Sequence, residues 1–174
     1  MRVSVRVRAL AIGVAAGSLV AVPLATPASA TTPHVVCSKL VGKTTVSGNN
    51  ATTKSTLSLC TPSALSAGAS STVTTPVAKS FGKVTSKLTW KNNKGTTTVI
   101  QQYAPLTAPG KCPSTAGKIK KGWLHIKLTG TTKASTGAAA KIIKAGETIT
   151  GFICTNTNTK PYTSTLEPGT KFKL

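Results

Sequence analysis

Apolar and polar side chains alternate with a period of two along much of this chain, as they do in strands that bury one face. The clearest case is the stretch 83–103, in which Val84, Leu88 and Trp90 share one parity and lysines and threonines take the other. Residues 92–95, Asn-Asn-Lys-Gly, tolerate positive φ, and a run rich in Thr, Val and Ile follows them. The stretch therefore predicts a β-hairpin. The remaining strands must close a core around it, because a lone hairpin is barely stable in water.

Other short strand patterns flank this hairpin. They are predicted at residues 35–41, 55–60, 118–130 and 147–154, and a turn followed by an edge strand is predicted at 166–174. Residues 62–80 and 105–117 are predicted as long connections, the first of them with a short strand near 72–75. Residues 138–144 fit either a strand or one helical turn. The predicted fold class is all-β: a single antiparallel β-sandwich, immunoglobulin-like or related, with about seven or eight short strands.

The segment 118–130 is the longest predicted strand, and its parity slips at Gly122. A bulge at this glycine would place Ile119 on the same side as the later apolar positions of the strand. Those inward positions are Leu124, Ile126 and Leu128. The residues expected to face solvent are Lys121, Trp123, His125 and Lys127.

The first thirty residues have the features of a cleaved signal peptide. Arg2, Arg6 and Arg8 precede a mostly apolar run at 9–22, and Ala-Ser-Ala at 28–30 fits a signal-peptidase site. An uncleaved amphipathic anchor is the alternative. The apolar run is too short and too interrupted for a good membrane span, and no later segment is apolar for long enough. We therefore expect a signal peptide at 1–30 and one secreted, soluble domain at 31–174.

The charge balance is strongly basic: 22 Lys and Arg against two acidic residues give the chain a formal net charge of +20. Removal of the three leader arginines lowers this charge to +17, and every basic residue that remains is a lysine. Such a charge attracts polyanions and also keeps a protein soluble. The absence of arginine disfavours shaped recognition of phosphate or carboxylate, for which the bidentate guanidinium is suited.

The four cysteines are Cys37, Cys60, Cys112 and Cys154. An even number in an exported protein predicts two disulfides, and three pairings are possible. We favour Cys37–Cys60 with Cys112–Cys154, which would staple each half of the domain separately. A zinc site is not expected, because the spacing contains no CxxC pair and the chain has only two histidines. No cofactor is predicted.

Residues for catalysis are scarce. A carboxylate pair would have to be Glu147 and Glu167, each of which is more simply explained by its place at a strand start or in a turn. His34 and His125 lack the sequence context of a serine triad, and the chain has no G-x-S-x-G elbow, P-loop or dinucleotide fingerprint. The sequence therefore predicts a protein that is not an enzyme.

One basic stripe is the best candidate for a polyanion-binding surface. Lysines interleaved with an aromatic ring can neutralise phosphates while the ring stacks on a base or sugar. The stripe comprises Lys118, Lys120, Lys121, Trp123, His125 and Lys127. The competing interpretation is structural: Trp123 would pack in the core, and His125 would make an ordinary surface or cross-strand contact.

Several short motifs resemble those of a group of small secreted actinobacterial proteins with no established function. The shared features are an early cysteine in a short strand, Cys60 after Leu-Ser-Leu, and a Leu-Thr-Trp strand at 88–90 with a polar turn and a Thr-rich return. Two later cysteines and the ending Pro-Gly-Thr-Lys-Phe at 168–172 complete the likeness. The resemblance implies a secreted, disulfide-bonded β domain and transfers no catalytic or ligand residues.

Together these features predict a non-enzymatic, monomeric protein, secreted or associated with the cell envelope. Its expected role is electrostatic association with anionic envelope polymer, lipid or nucleic acid. The alternative is a protein-binding or inhibitory module that uses its two long loops, 62–80 and 105–117, as the contact surface.

Overall fold

The computed structural model describes residues 34–174, so the predicted signal peptide at 1–30 lies outside the described residues. Eleven strands are present in the described part of the chain: β1 Val36–Ser47, β2 Asn50–Thr61, β3 Ala69–Pro76, β4 Lys83–Trp90, β5 Gly95–Leu106, β6 Ser114–Thr115, β7 Lys118–Ile119, β8 Trp123–Ser135, β9 Thr148–Asn156, β10 Tyr162–Leu166 and β11 Phe172–Lys173. One helical turn, α1 Ala139–Ile142, precedes β9, and two 3₁₀ turns, Ser63–Leu65 and Val77–Lys79, flank β3.

The main sheet closes on itself as an antiparallel barrel of eight strands. The order around the barrel is β1-β2-β3-β4-β5-β8-β9-β10, and β10 then pairs with β1, with Val41 opposite Thr165. The short strand β11 lies between β1 and β9, where it pairs with Val36, Cys37 and Thr150. The prediction of a β-sandwich is therefore wrong, although the all-β class is right.

The physical reason for the barrel lies in the inward-facing residues of the first strands. In a sandwich these positions must be large and apolar to fill the space between two sheets. Here the inward positions of β2 are Ala51, Thr53 and Ser55 before Leu57 is reached, and β1 carries Gly42 and Thr44. Small side chains cannot fill a sandwich interior, whereas a closed sheet can enclose the space they leave.

One end of the barrel is filled by a conventional apolar core. This end is where β4 passes into β5 and where β8, α1 and β9 meet. Trp90 lies at its centre, 2% exposed, and its indole N–H donates to Thr97 Oγ1 at 2.9 Å. Other buried members of this core are Val35, Leu65, Ala69, Val99, Ala139, Ile143, Ile149 and Leu174. We call this region the closed end.

Both disulfides join the predicted partners. Cys37 and Cys60 lie directly opposite each other on β1 and β2, and Cys112 in the loop after β5 is bonded to Cys154 on β9. None of the four cysteines is free. In the chain-entropy model, loops of these lengths each stabilise the fold by about 3–4 kcal/mol.

The predicted central hairpin is confirmed, since β4 and β5 pair along their length and Asn92, Asn93 and Gly95 have positive φ. The segment 118–130 differs from its prediction. Gly122, with φ +78°, lies in a turn between β7 and β8 and not in a bulge, so Ile119 belongs to a separate small hairpin. The C-terminal strand β11 has neighbours on both sides and is not an edge.

Three further expectations can be compared with the structure. The connection 62–80 holds a full strand, β3, where only a short one was expected. Residues 138–144 form the helical turn α1, which was one of two alternatives. Among residues 34–174, no helix has the length and hydropathy needed to cross a bilayer.

Candidate ligand-binding cavity

The other half of the barrel encloses a cavity of about 370 Å³. It lies above the closed-end core and reaches the end of the barrel where β1 meets β2, β3 meets β4 and β9 meets β10. We call this the open end. Its lining includes inward residues of all eight barrel strands and part of the connection between β3 and β4. A volume of this order is typical of pockets that hold small organic molecules.

A row of small polar residues crosses one wall of the cavity. The row follows the strand register: Thr155 on β9 is opposite Ser164 on β10, which is opposite Gly42 on β1; Gly42 is opposite Ser55 on β2, which is opposite Ser71 on β3. We call these five residues the polar row. Their small size is what leaves the cavity open, and their hydroxyl groups make part of its wall hydrophilic.

Two hydrogen bonds between hydroxyl groups organise this wall. Thr155 Oγ1 and Ser164 Oγ lie 2.9 Å apart within the polar row, and Thr44 Oγ1 and Thr53 Oγ1 lie 2.8 Å apart in the next row towards the open end. Such cross-strand hydroxyl pairs fix the rotamers of the side chains that make them. The polar wall is therefore largely preorganised.

The opposite wall is mainly apolar, with one polar pair. Leu88, Leu124, Ile126 and Leu128 contribute aliphatic surface, and so do Val84 and Ile153. Gln101 Nε2 donates a hydrogen bond to the Tyr103 phenol oxygen at 2.6 Å. Burial raises the pKa of Tyr103 to about 12, against the opposing effect of the hydrogen bond from Gln101. This phenol therefore stays neutral at physiological pH.

Among the described residues, no lysine, glutamate or histidine lines the cavity. The titratable side chains in the described part of the lining are two tyrosines, Tyr103 and Tyr162. A charged molecule entering it would lose hydration without gaining a counter-ion, which costs several kcal/mol. The cavity can therefore bind a neutral molecule through apolar contact and a few hydroxyl hydrogen bonds.

The predicted polyanion stripe is only partly a surface. Lys118, Lys120, Lys121 and Lys127 are exposed, and Trp123 is partly buried. His125 is 4% exposed. It lies behind the loop after β5, where it donates from Nδ1 to the carbonyl oxygen of Ala108 at 2.7 Å. The imidazole therefore supports this loop and is not presented to solvent beside the lysines.

The two glutamates have separate structural partners, each a histidine. Glu167 is buried with Oε2 3.4 Å from His125 Nε2, and its Oε1 accepts the backbone N–H of Lys111 at 2.6 Å. Glu147 accepts from His34 Nδ1 at 2.8 Å and from the backbone N–H of Lys144 at 2.7 Å. The carboxylates thus fix loops on the outside of the barrel. They do not line the cavity.

The loop near Glu167 is packed closely enough to require glycine. Gly110 has φ +55°, and a Cβ atom there would overlap Glu167 Oε1 and lie 2.7 Å from His125 Cε1. Together with the Cys112–Cys154 bridge, this contact holds residues 107–112 against the barrel wall. The predicted loop at 105–117 is thus anchored at its centre.

No metal centre is apparent in the described residues, which contain no group of three or more His, Cys, Asp or Glu side chains placed to bind an ion. No protein-family model, curated protein or solved structure is significantly similar to this chain. The likeness to secreted actinobacterial proteins therefore stays a prediction, and function has to be argued from the cavity and the surface.

The cavity residues were not recognised from the sequence. Ser and Thr usually occupy the wet face of a strand, and Thr44, Thr53, Ser55 and Ser71 were not predicted to face the interior. A signal was present: Thr44 shares the parity of Leu40 on β1, and Thr53 and Ser55 share that of Leu57 on β2. Hydroxyl groups on the parity that elsewhere is apolar indicate an interior that is not fully packed.

Proposed function

We propose that this protein binds a small, uncharged, largely apolar molecule inside its barrel. The observation that carries the proposal is the cavity of about 370 Å³, which a single sheet encloses and which opens at one end. Cavities of this kind in eight-stranded barrels have room for one small ligand. The proposal retains the expectation that the protein is not an enzyme.

A neutral fluorescent probe, N-phenyl-1-naphthylamine, tests this function. An uncharged probe is chosen because an anionic dye would also bind the lysines. We expect saturable fluorescence enhancement with roughly 1:1 stoichiometry, insensitive to salt because no ion pair is formed. Non-saturable enhancement, or enhancement abolished by salt, would contradict binding in the cavity.

Neighbouring serines on β3 provide a matched pair of variants. Ser71 points into the cavity and is 8% exposed, whereas Ser70 is exposed on the outside. Ser71→Phe should fill part of the cavity and weaken probe binding at least tenfold, while Ser70→Phe should bind like the wild type. Thermal unfolding of both variants would show that each is folded. Equal binding by the two variants would place the probe elsewhere.

A second function, association with an anionic lipid surface, is favoured by the open end of the barrel. Three of the exposed large apolar side chains lie there: Val46 at 45%, Val77 at 45% and Phe81 at 46% exposure. Lys79 and Lys83 are exposed beside them. We call Val46, Val77 and Phe81 the apolar rim. Apolar side chains surrounded by lysines suit a membrane of negative charge.

The distribution of charge over the protein surface supports attraction to anionic lipid. Eighteen of the nineteen lysines are exposed, and both glutamates are buried. The lysines occur on β1, β2, β4, β7, β8, α1 and β11 and in loops, so they lie on several sides of the barrel and do not form one face. The charge therefore supplies long-range attraction, and the apolar rim would determine which end meets the lipid.

Vesicle sedimentation distinguishes the apolar rim from charge alone. We expect binding to phosphatidylglycerol vesicles but not to phosphatidylcholine vesicles, and weakening at high salt. Val77→Ser with Phe81→Ser should reduce binding severalfold. Leu59→Ser is the matched control, because Leu59 is 67% exposed but lies far along β2, beside Cys60 at the closed end. Equal loss in both variants, or stronger retention on a nucleic-acid column that the rim variants leave unchanged, would reject a lipid-specific role.

A further inference from the structure

Two buried hydroxyl groups in the cavity wall have no hydrogen-bond partner within the described protein. They are Ser71 Oγ on β3 and Ser86 Oγ on the neighbouring strand β4. Ser71 is 8% exposed and Ser86 is 5% exposed, and both line the cavity. Buried polar groups in folded proteins are nearly always paired, so an unpaired group in a cavity wall indicates where a ligand atom can bind.

Ser71 and Ser86 differ from the hydroxyl groups of the wall that are bonded to each other. Thr155 is bonded to Ser164, and Thr44 is bonded to Thr53. Tyr103 accepts from Gln101, so the hydrogen of its own hydroxyl is not used in that bond. Each hydroxyl pair also keeps one hydrogen of its own, so several lining groups can donate into the cavity; Ser71 Oγ and Ser86 Oγ are the lining groups that are buried and have no partner at all among the described residues.

The remaining lining determines what else the ligand can be. Aliphatic side chains of β4, β8 and β9 also line the cavity, and none of the described lining residues is cationic or anionic. A carboxylate or phosphate would therefore be desolvated without a counter-ion, even though the outer surface is strongly basic. An alkylammonium ion would be equally unfavourable.

We propose that the cavity is selective for uncharged molecules that carry a carbonyl or ether oxygen on an apolar framework, with that oxygen accepting from Ser71 or Ser86. This inference rests on the proposed function and specifies its ligand class. A hydrocarbon of the same shape would leave the two hydroxyls unpaired, and an anion of the same shape would be excluded by the lining.

Three matched compounds test the ligand class: benzophenone, diphenylmethane, in which a methylene replaces the carbonyl, and 4-benzoylbenzoate, which adds a carboxylate. Their affinities can be measured by displacement of N-phenyl-1-naphthylamine. We expect benzophenone to bind about tenfold more tightly than diphenylmethane, which is the effect of one hydrogen bond to otherwise unpaired buried donors. The anion should bind at least tenfold more weakly than benzophenone at every salt concentration.

Serine variants test whether the hydroxyl groups of Ser71 and Ser86 cause the preference for benzophenone over diphenylmethane. Ser71→Ala with Ser86→Ala should abolish the preference for benzophenone over diphenylmethane while leaving the affinity for diphenylmethane unchanged. The same variant should unfold at an equal or higher temperature, because it removes two unpaired buried groups. A structural role alone would change stability and both affinities together. Ser70→Ala, on the outside of β3, is the control and should retain the preference.

The outcomes separate this inference from the function on which it rests. Binding of the fluorescent probe with no preference for benzophenone, or with tighter binding of the anion, would overturn the ligand class and leave the cavity as a binding site. Failure of the fluorescent probe and of all three compounds to bind would overturn the proposed function itself.

Discussion

The two ends of the barrel are built by the same strands with opposite results. On β4, Trp90 and Leu88 point inward towards the closed end, and Ser86 and Val84 point inward further along. The same change occurs on β2, from Leu57 to Ser55. Along these parts of β4 and β2 the alternation is unbroken, so the pleat does not distinguish a packed core from a cavity. The difference lies in the volume of each inward side chain.

This comparison indicates how the barrel divides stability and binding. The closed end supplies buried apolar area, at about 25 cal/mol per Å², and thus holds the fold together. The open end has less buried apolar area, because the small residues of the polar row cannot fill the interior. Changes at the closed end should therefore affect stability, and changes at the open end should affect binding.

The largest effect is expected for Trp90→Ala. Trp90 is 2% exposed, and its loss would leave a large cavity and remove the hydrogen bond to Thr97. We expect a loss of about 3–5 kcal/mol in the free energy of unfolding. Denaturant titration followed by circular dichroism measures it. A loss below about 1 kcal/mol would show that the closed end is not the main source of stability.

A pair of leucines compares the ends directly. Leu65 is 1% exposed at the closed end, whereas Leu124 is partly buried and lines the cavity. Leu65→Ala should cost about 2–4 kcal/mol, and Leu124→Ala should cost about 1 kcal/mol because its side chain already faces open space. Chemical denaturation of both variants under one condition checks the difference. Equal losses would mean that the two ends are packed alike.

Ser86→Val should increase the free energy of unfolding, whereas the preceding substitutions should lower it. The substitution adds apolar volume where the cavity has room and removes an unpaired buried hydroxyl. We expect stabilisation of about 0.5–1 kcal/mol, together with weaker binding of the fluorescent probe. Thermal denaturation and probe titration of the same preparation measure both. Destabilisation would indicate that Ser86 has a partner in solution.

The smallest effect at neutral pH is expected for Tyr103→Phe. Because the pKa of Tyr103 is raised to about 12 in the folded protein, its contribution is complete below pH 10 and is lost as the pH rises from 10 towards 12. Absorbance of tyrosinate near 295 nm should show a transition near pH 12 that the variant lacks. The decline in stability over this pH range should also be shallower in the variant.

The sequence predicted local features such as turns better than it predicted how the strands assemble into a sheet. The hairpin turn at residues 92–95 was predicted correctly, because its turn residues act locally, and the favoured cysteine pairing, one of three possible, is the one observed. Closure of the sheet into a barrel was not predicted, because it depends on the pairing of β10 with β1, which lie near opposite ends of the described chain. Periodicity reports which side of a strand is buried, and it does not report whether the sheet bends into a ring.

The site was harder to predict than the fold for a related reason. Ser71 and Ser86 are ordinary residues in a Ser- and Thr-rich chain, and only their inward direction and lack of partners distinguish them. His125 was misjudged in the opposite direction: its strand position predicted exposure, but the loop at 107–112 covers it. Burial by a distant loop leaves no signal in the pattern of the strand itself.

The pairing of β1 with β10 and β11 has a kinetic consequence. The first strand acquires both of its neighbours only when residues 162–173, more than a hundred positions later, have docked beside it. Such non-local closure slows folding to the millisecond-to-second range of all-β domains. A chain still emerging from the ribosome would keep β1 half-paired, so a leader that exports it before folding would suit this topology.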